Sequence, residues 1–245
     1  MLFVARGAAA VAGLLVCLPL HYLSRLAGRP SAWPRRFLAW VGRSAGMRPH
    51  IVGKPLGDHV LFLANHLSWL DIVLIAGATG AAFVSKEEVA RWPVIGWLAR
   101  LNHSVFVARS ERRAVQGQAD ALRNALQGRR PVALFPEGTT SDGSGVFPFR
   151  ASLIAALYPP VPGLKVQPIA IDYGAATRDL AWVDGESVLA NARRVLSRPR
   201  PTPVALHFLP PLDPAAFPGR KALAEAARAQ IVEALAASAA RRDRL

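Results

Sequence analysis

From about residue 50 onward the chain switches repeatedly between short β-like runs and longer helical stretches, and this alternation most narrows the folds open to it. HVLFLA (59–64), AAFVS (81–85), SVFVA (104–108), PVALF (131–135), KVQPIAI (165–171) and VALHFL (204–209) read as strands. They are short, rich in Val, Ile and Phe, and bounded by turn or polar residues. Helical segments fit between and after them at about 69–79, 87–101, 111–127, 149–157, 187–197 and 219–241. The 111–127 segment begins after Ser110, a good N-cap residue, and ends before Gly128. YPPVPG (158–163) and SRPRPTP (197–203) each lead straight into a strand, so they are stiff connectors rather than domain linkers. Strands alternating with helices predict an α/β domain, a sheet flanked by helices, over residues 49–245. In such domains functional loops sit at the ends of strands.

Residues 1–48 follow a different rule. Gly7 to Leu20 (GAAAVAGLLVCLPL) carries no charge, and Tyr22 and Leu23 extend its apolar character. As a helix this run is about 21–25 Å long, short of a bilayer core of about 30 Å. It reads as a marginal span, an interfacial helix or a signal-peptide core. The last is disfavoured because arginines follow at once, without a small-x-small cleavage site. Next, Trp33, Phe37, Trp40, Val41 and Ser44 share one helical face, with Arg36 and Arg43 on another and Arg35 beside them. Such a helix suits the headgroup layer, or it packs on its own domain as an ordinary amphipathic helix.

Charge separates the partner classes. The chain carries a formal +14, and residues 1–50 hold seven Arg and no acid, which is half of that excess. Arginine beside apolar sequence suits anionic membrane lipids. A basic nucleic-acid-binding protein is the contrasting reading, but no nucleic-acid motif accompanies the charge. The N-terminal segment is therefore expected to be a membrane-associated helical unit, with no nucleic-acid partner. If Gly7–Leu23 spans, its Arg-rich carboxyl side is cytoplasmic. Cys17 is the only cysteine, so neither an internal disulfide nor a cysteine zinc site is available.

Three loops after strands carry candidate chemistry. In Asn65-His66-Leu67-Ser68-Trp69-Leu70-Asp71, the strand delivers His66 to the sheet edge and Asp71 enters the next helix five residues on. If the chain turns between them, the carboxylate can fix the imidazole tautomer and make its other nitrogen a general base. Spacing alone leaves open that Asp71 merely caps the helix. Phe135-Pro136-Glu137-Gly138-Thr139-Thr140-Ser141-Asp142-Gly143 is a glycine- and hydroxyl-rich turn that can present N–H groups to an anion, or is simply a tight turn. Its Glu137 would repel a phosphate and is expected to bond backbone amides or an acceptor hydroxyl. Phe106-Val107-Ala108-Arg109 ends a strand in a guanidinium able to clamp a phosphate, or in a solvated surface residue.

Together these segments resemble the glycerolipid acyltransferase family, typified by bacterial lysophosphatidic acid acyltransferases. NHLSWLD matches its N-H-x-x-x-x-D motif, FPEGTTS its F-P-E-G-T-x-S motif, and Val166-Gln167-Pro168-Ile169-Ala170-Ile171 its V-x-P-[IV]-A-[IV] block. The order and spacing fit over roughly residues 50–210. The resemblance implies the glycerolipid acyltransferase fold and direct acyl transfer, with His66 as general base oriented by Asp71. It implies no covalent acyl-enzyme, no metal and no cofactor, with acyl-CoA or acyl-carrier protein as co-substrate. Arg109, Glu137, Gly138 and Thr139 would hold the polar head of a lysophospholipid acceptor, and Pro168 would shape the neighbouring strand. Lys86 is placed to add positive charge to the site, or is a solvated helix start. The implied location is the bacterial inner membrane, with the catalytic domain on the cytoplasmic side.

Two positions depart from the family pattern: His103 stands where the second block usually has glycine, and Thr140 where arginine commonly follows E-G-T. The expected acceptor is 1-acylglycerol-3-phosphate, giving phosphatidic acid. The missing guanidinium makes a lyso-ornithine lipid the alternative, and F-P-E-G-T-T-S-D-G with V-Q-P-I-A-I-D-Y is similar to that branch. A serine hydrolase is a third reading, but the chain has no G-x-S-x-G elbow, and Ser68 sits too near His66 in sequence to be an obvious nucleophile.

Overall fold

The computed structural model describes residues 1–107, 122–183 and 185–244, apart from the side chains of Lys86 and Val107. Seven strands form one sheet: β1 (Met47–Val52), β2 (Val60–Ala64), β3 (Ala82–Lys86), β4 (Val105–Val107), β5 (Val132–Leu134), β6 (Lys165–Asp172) and β7 (Thr202–Phe208). Their order is β1-β7-β6-β2-β5-β3-β4. Neighbours run parallel except β6 and β7, where Ile171 faces Leu206 in an antiparallel pair. All six expected strands are present, β4 within its described residues. The seventh, β1, was not foreseen, because MRPHIV is polar, contains a proline and is exposed beyond Met47. As an outer strand it tolerates Pro49 and covers β7 in parallel register.

The helices are α1 (Leu2–Leu26), α2 (Trp33–Ser44), α3 (Leu70–Thr79), α4 (Glu87–Ala90), α5 (Pro93–Leu101), α6 (Val188–Leu196) and α7 (Arg220–Arg242), with residues 122–127 and the single turn Thr177–Leu180 also α-helical. The segment expected at 87–101 is two helices, because Pro93 starts α5 where its missing N–H costs nothing. The 149–157 segment is a 3₁₀ helix, Ala151–Leu157. The start of the segment expected at 111–127, with Ser110, lies outside the described residues.

Central β2 shows how the layers form. Val60, Phe62 and Ala64 pack with α3 in one core, while Leu61 and Leu63 pack in another with Leu157 and Ala224. Both faces of the sheet are covered, so VLFLA reads as a continuous apolar run rather than an alternating one. Burying a side chain such as Phe62 contributes about 1.5–3 kcal/mol, which fixes which face of β2 meets α3.

α2 turns its apolar side to protein. Phe37 is buried, Leu38 and Val41 pack against the core with α3, and Gly77 lets α3 approach the Ala39 backbone. Arg35 donates to the Gly77 and Ala78 carbonyls at the carboxyl end of α3, where a helix favours a cation. Trp40 reaches the other way: its indole N–H donates to the Ala9 carbonyl at 2.7 Å, and its ring lies against Gly13. The expected indole face is thus occupied largely by α3 and α1. α1 is one unbroken helix through Pro19, long and apolar enough to cross a membrane by length and composition.

Candidate active site

The site forms at the carboxyl end of β2. Asn65, just past the strand, replaces a ladder rung with its side chain: its amide donates to the Ile171 carbonyl at 3.1 Å and accepts the Ile171 N–H at 2.8 Å. That fixes where β2 ends relative to β6. The chain then turns into α3, so the five-residue interval between His66 and Asp71 closes on itself. His66 Nδ1 lies 2.8 Å from Asp71 Oδ2.

Asp71 is completely buried. Its carboxylate meets four donors: His66 Nδ1, the Leu67 N–H at 2.6 Å, the Ser68 N–H at 2.9 Å and the Tyr173 hydroxyl at 2.5 Å. Three of the four converge on Oδ2, and the Tyr173 hydroxyl meets Oδ1. The carboxylate does not cap α3, whose start receives no side-chain bond; it ties the turn before the helix and orients the imidazole. Burial, with the neighbouring Asp71 charge, pushes the Tyr173 hydroxyl well above its ordinary value and keeps it a donor. With Nδ1–H directed at Asp71, Nε2 is left as the acceptor.

The ring of His66 is 18% exposed and stacks on Phe135, with centroids 3.9 Å apart and planes within 9°. Phe135 ends the strand-like run through β5 and stacks in turn on Phe83 at 5.7 Å. The imidazole is held by a bond at one edge and an aromatic plate on one face.

The second loop grips the first by its backbone. Glu137 is buried; its Oε1 accepts the His66 N–H at 2.6 Å and its Oε2 the Phe147 N–H at 2.7 Å. Burial pushes this carboxyl up to about 7, opposed by the two amide bonds. The Ser141 N–H donates to the His66 carbonyl at 2.8 Å. Gly138 has a φ of +76°, which suits glycine, and Thr139 is half-buried beside it. Thr140 turns its hydroxyl to the Trp182 carbonyl at 2.5 Å.

The structure therefore brings His66, Asp71, Glu137, Gly138 and Thr139 into one place. Both oxygens of Glu137 bond backbone amides, the first of its two sequence-level options. Lys86 closes β3, with its side chain outside the description, and Arg109 lies outside the described residues. Ser68, the conceivable hydrolase nucleophile, is fully buried beneath the turn. Pro168 sits in β6 opposite Leu63 of β2. His103 holds a left-handed backbone with φ +59°, the conformation glycine adopts without strain. Tyr173 and Asn65 were not singled out from sequence. The signal for Tyr173 was a tyrosine at the end of an apolar strand, whose hydroxyl needs a partner once buried.

Beside the site, α1, α2, α3 and α5 enclose an apolar cavity of about 350 Å³, lined by Leu14, Phe37, Val41, Trp69, Phe83 and Leu98 among others. Phe83 links its wall to the Phe135–His66 stack.

Residues 48–172 match a family model described as acyltransferase. The chain is 36% identical over 92% of its length to a lyso-ornithine lipid O-acyltransferase of Rhodobacter capsulatus, covering 87% of that protein. It is 37% identical over 50% of its length to a 1-acyl-sn-glycerol-3-phosphate acyltransferase of Neisseria gonorrhoeae, covering 48% of that protein. Among solved structures, the 1-acyl-sn-glycerophosphate acyltransferase PlsC from Thermotoga maritima superposes with a TM-score of 0.62 at 25% identity, covering 82% of this chain and 76% of that one.

Proposed function

The chain belongs to the acyltransferase family, and from that premise we propose that it moves a fatty acyl group from an acyl thioester to the free hydroxyl of a lyso-ornithine lipid. The observation that carries the chemistry is the His66–Asp71 pair, with Nδ1 fixed at 2.8 Å and Nε2 left as the acceptor. Nε2 takes the proton of the acceptor hydroxyl as its oxygen attacks the thioester carbonyl. The carbon–sulfur bond then breaks, and the departing thiolate recovers that proton from the imidazolium. No acyl group is carried by the protein, and neither a metal nor a resident cofactor takes part. Acyl-CoA or acyl-carrier protein serves as donor.

Glu137 is a positioning group in this scheme, holding the His66 backbone. Gly138, Thr139 and Arg109 are the proposed contacts of the acceptor head by motif position, with Lys86 proposed to add positive charge. The apolar cavity behind Trp69 and Phe83 is the natural place for a fatty chain.

Similarity along 92% of the chain supports the ornithine acceptor. The acylglycerol phosphate relative matches over only half of it. Lysophosphatidic acid is the second reading, supported by the Thermotoga fold. Purified protein offered both lysolipids with one acyl thioester should acylate the ornithine lipid with the higher kcat/KM. A preference for lysophosphatidic acid overturns the order, and transfer to neither overturns the function.

α1 supports docking on the cytoplasmic leaflet of the bacterial inner membrane without crossing it. Along its length it is tied to α2 and its flanking residues, and at Arg6 to the domain: Arg6 donates to the Ala45 carbonyl at 3.2 Å and to the Leu196 carbonyl at 3.4 Å, Ala9 accepts from Trp40, and His21 bonds Ser31 at 2.8 Å. Its other side exposes Val4, Val11, Leu15 and Leu23 by 57–70%. A helix held along one side and apolar on the other lies in the interface, with the Arg excess toward anionic lipids.

A further inference from the structure

We propose that Arg150 is a specificity-determining residue that binds the oxyanion of the acceptor headgroup, an assignment that rests on the lysolipid acyltransferase reading above. Arg150 lies twelve residues beyond Gly138 in sequence, yet its side chain runs across that glycine. A Cβ built on Gly138 would meet the Arg150 Cδ, Nε and Cζ, each at 3.3 Å. Glycine at 138 suits the left-handed backbone and lets the Arg150 side chain come close over the loop.

The residue is anchored through its main chain. Its N–H donates to the Pro136 carbonyl at 2.8 Å, and its own carbonyl accepts from Leu153 at 3.0 Å. The loop between those anchors is stiffened by the Glu137–Phe147 bond and by Arg228 of α7, which donates to the Val146 and Phe147 carbonyls. The same loop touches the His66 backbone at both its N–H and its carbonyl. The backbone that carries the guanidinium is thus fixed on the loop that holds the general base.

Among the described residues no carboxylate forms an ion pair with Arg150. Glu137 is buried and committed to two backbone amides, while Asp142 accepts from the N–H and hydroxyl of Ser144. A flat, exposed guanidinium fork matches a carboxylate or a phosphate bidentately. The ornithine headgroup offers the first and lysophosphatidic acid the second.

Arg150→Ala and Arg150→Lys test this, since the side chain is exposed and its anchors are main-chain bonds. Both variants are assayed against wild type with lyso-ornithine lipid, lysophosphatidic acid and the methyl ester of lyso-ornithine lipid, which lacks the oxyanion. The expected result is an acceptor KM raised about tenfold to a hundredfold in Arg150→Ala, the loss of a charge-assisted hydrogen bond. The lysine variant should fall between, keeping charge without the fork. KM for the thioester, and KM or the inhibition constant of the methyl ester, should stay within about twofold of wild type, as the loss of one specific bond requires. A loss confined to the ornithine lipid identifies the carboxylate as the bound group, and one confined to lysophosphatidic acid identifies the phosphate. A rise equal for the methyl ester, or below twofold for both anionic acceptors, overturns the Arg150 assignment alone. Wild-type protein that acylates no lysolipid overturns the underlying reading and this assignment with it.

Discussion

The His66 turn and the α1 helix flank the same apolar cavity, but they are secured in opposite ways. The turn is held by buried polar bonds, with Asp71 alone accepting four donors and Glu137 gripping the backbone from the next strand. α1 is held by an apolar side and a few bonds to carbonyls, while its other face is left in the open. Buried hydrogen bonds are directional and costly to leave unmade, whereas apolar contact is not directional. The difference separates a region that must keep an atom in place from one that must keep a surface against a lipid.

The comparison breaks most readily at His66. His66→Ala should lower kcat by about a hundredfold to ten-thousandfold, the usual contribution of a general base, with the thermal midpoint little changed. Retention of more than a few per cent of wild-type transfer would remove the general-base role. On the other side, Val11→Asp with Leu15→Asp should reduce binding to anionic vesicles by about tenfold to a hundredfold, since each exposed side chain stops burying apolar area. Activity on detergent-dispersed substrate should stay at the wild-type level. A parallel loss in detergent would mean that α1 serves the site and not the membrane.

Glu137 offers a pH-dependent test of the polar region. Its folded value of about 7 lies above its ordinary 4.5, so the folded chain keeps this proton longer than the unfolded chain does. The stabilisation is full below pH 4.5 and is lost as pH rises through about 7. Relative to Glu137→Gln, the unfolding free energy of wild type should fall by roughly 3 kcal/mol across that window. Parallel stability curves for the two proteins would show that burial does not hold the proton. The smallest effect is expected for Tyr173→Phe, which removes one of the four donors to Asp71. It should lower stability by about 1–3 kcal/mol and kcat by less than about tenfold, because three donors still orient the carboxylate.

Much of the architecture was legible in the order of residues. VLFLA and KVQPIAID announce themselves because a strand covered on both faces must be apolar throughout. β1 did not, since an outer strand resting on one neighbour needs no such composition. The break at Pro93 was readable in principle, as proline begins helices more easily than it continues them. His103 looked like a departure from a glycine position, and its φ of +59° shows the backbone demand behind that glycine.

Sequence determined the alternation of strands and helices, the pairing of an apolar N-terminus with arginine, and the His66 and Glu137 loops that mark the acyltransferase family. These are local patterns, fixed by periodicity and by the chemistry of neighbouring residues. Only the tertiary structure decided that Tyr173, 102 residues from Asp71, completes its shell, that Glu137 grips a backbone, and that Arg150 lies over Gly138. Those contacts join segments distant along the chain, and which donors meet in a buried space depends on how the sheet brings its strand ends together.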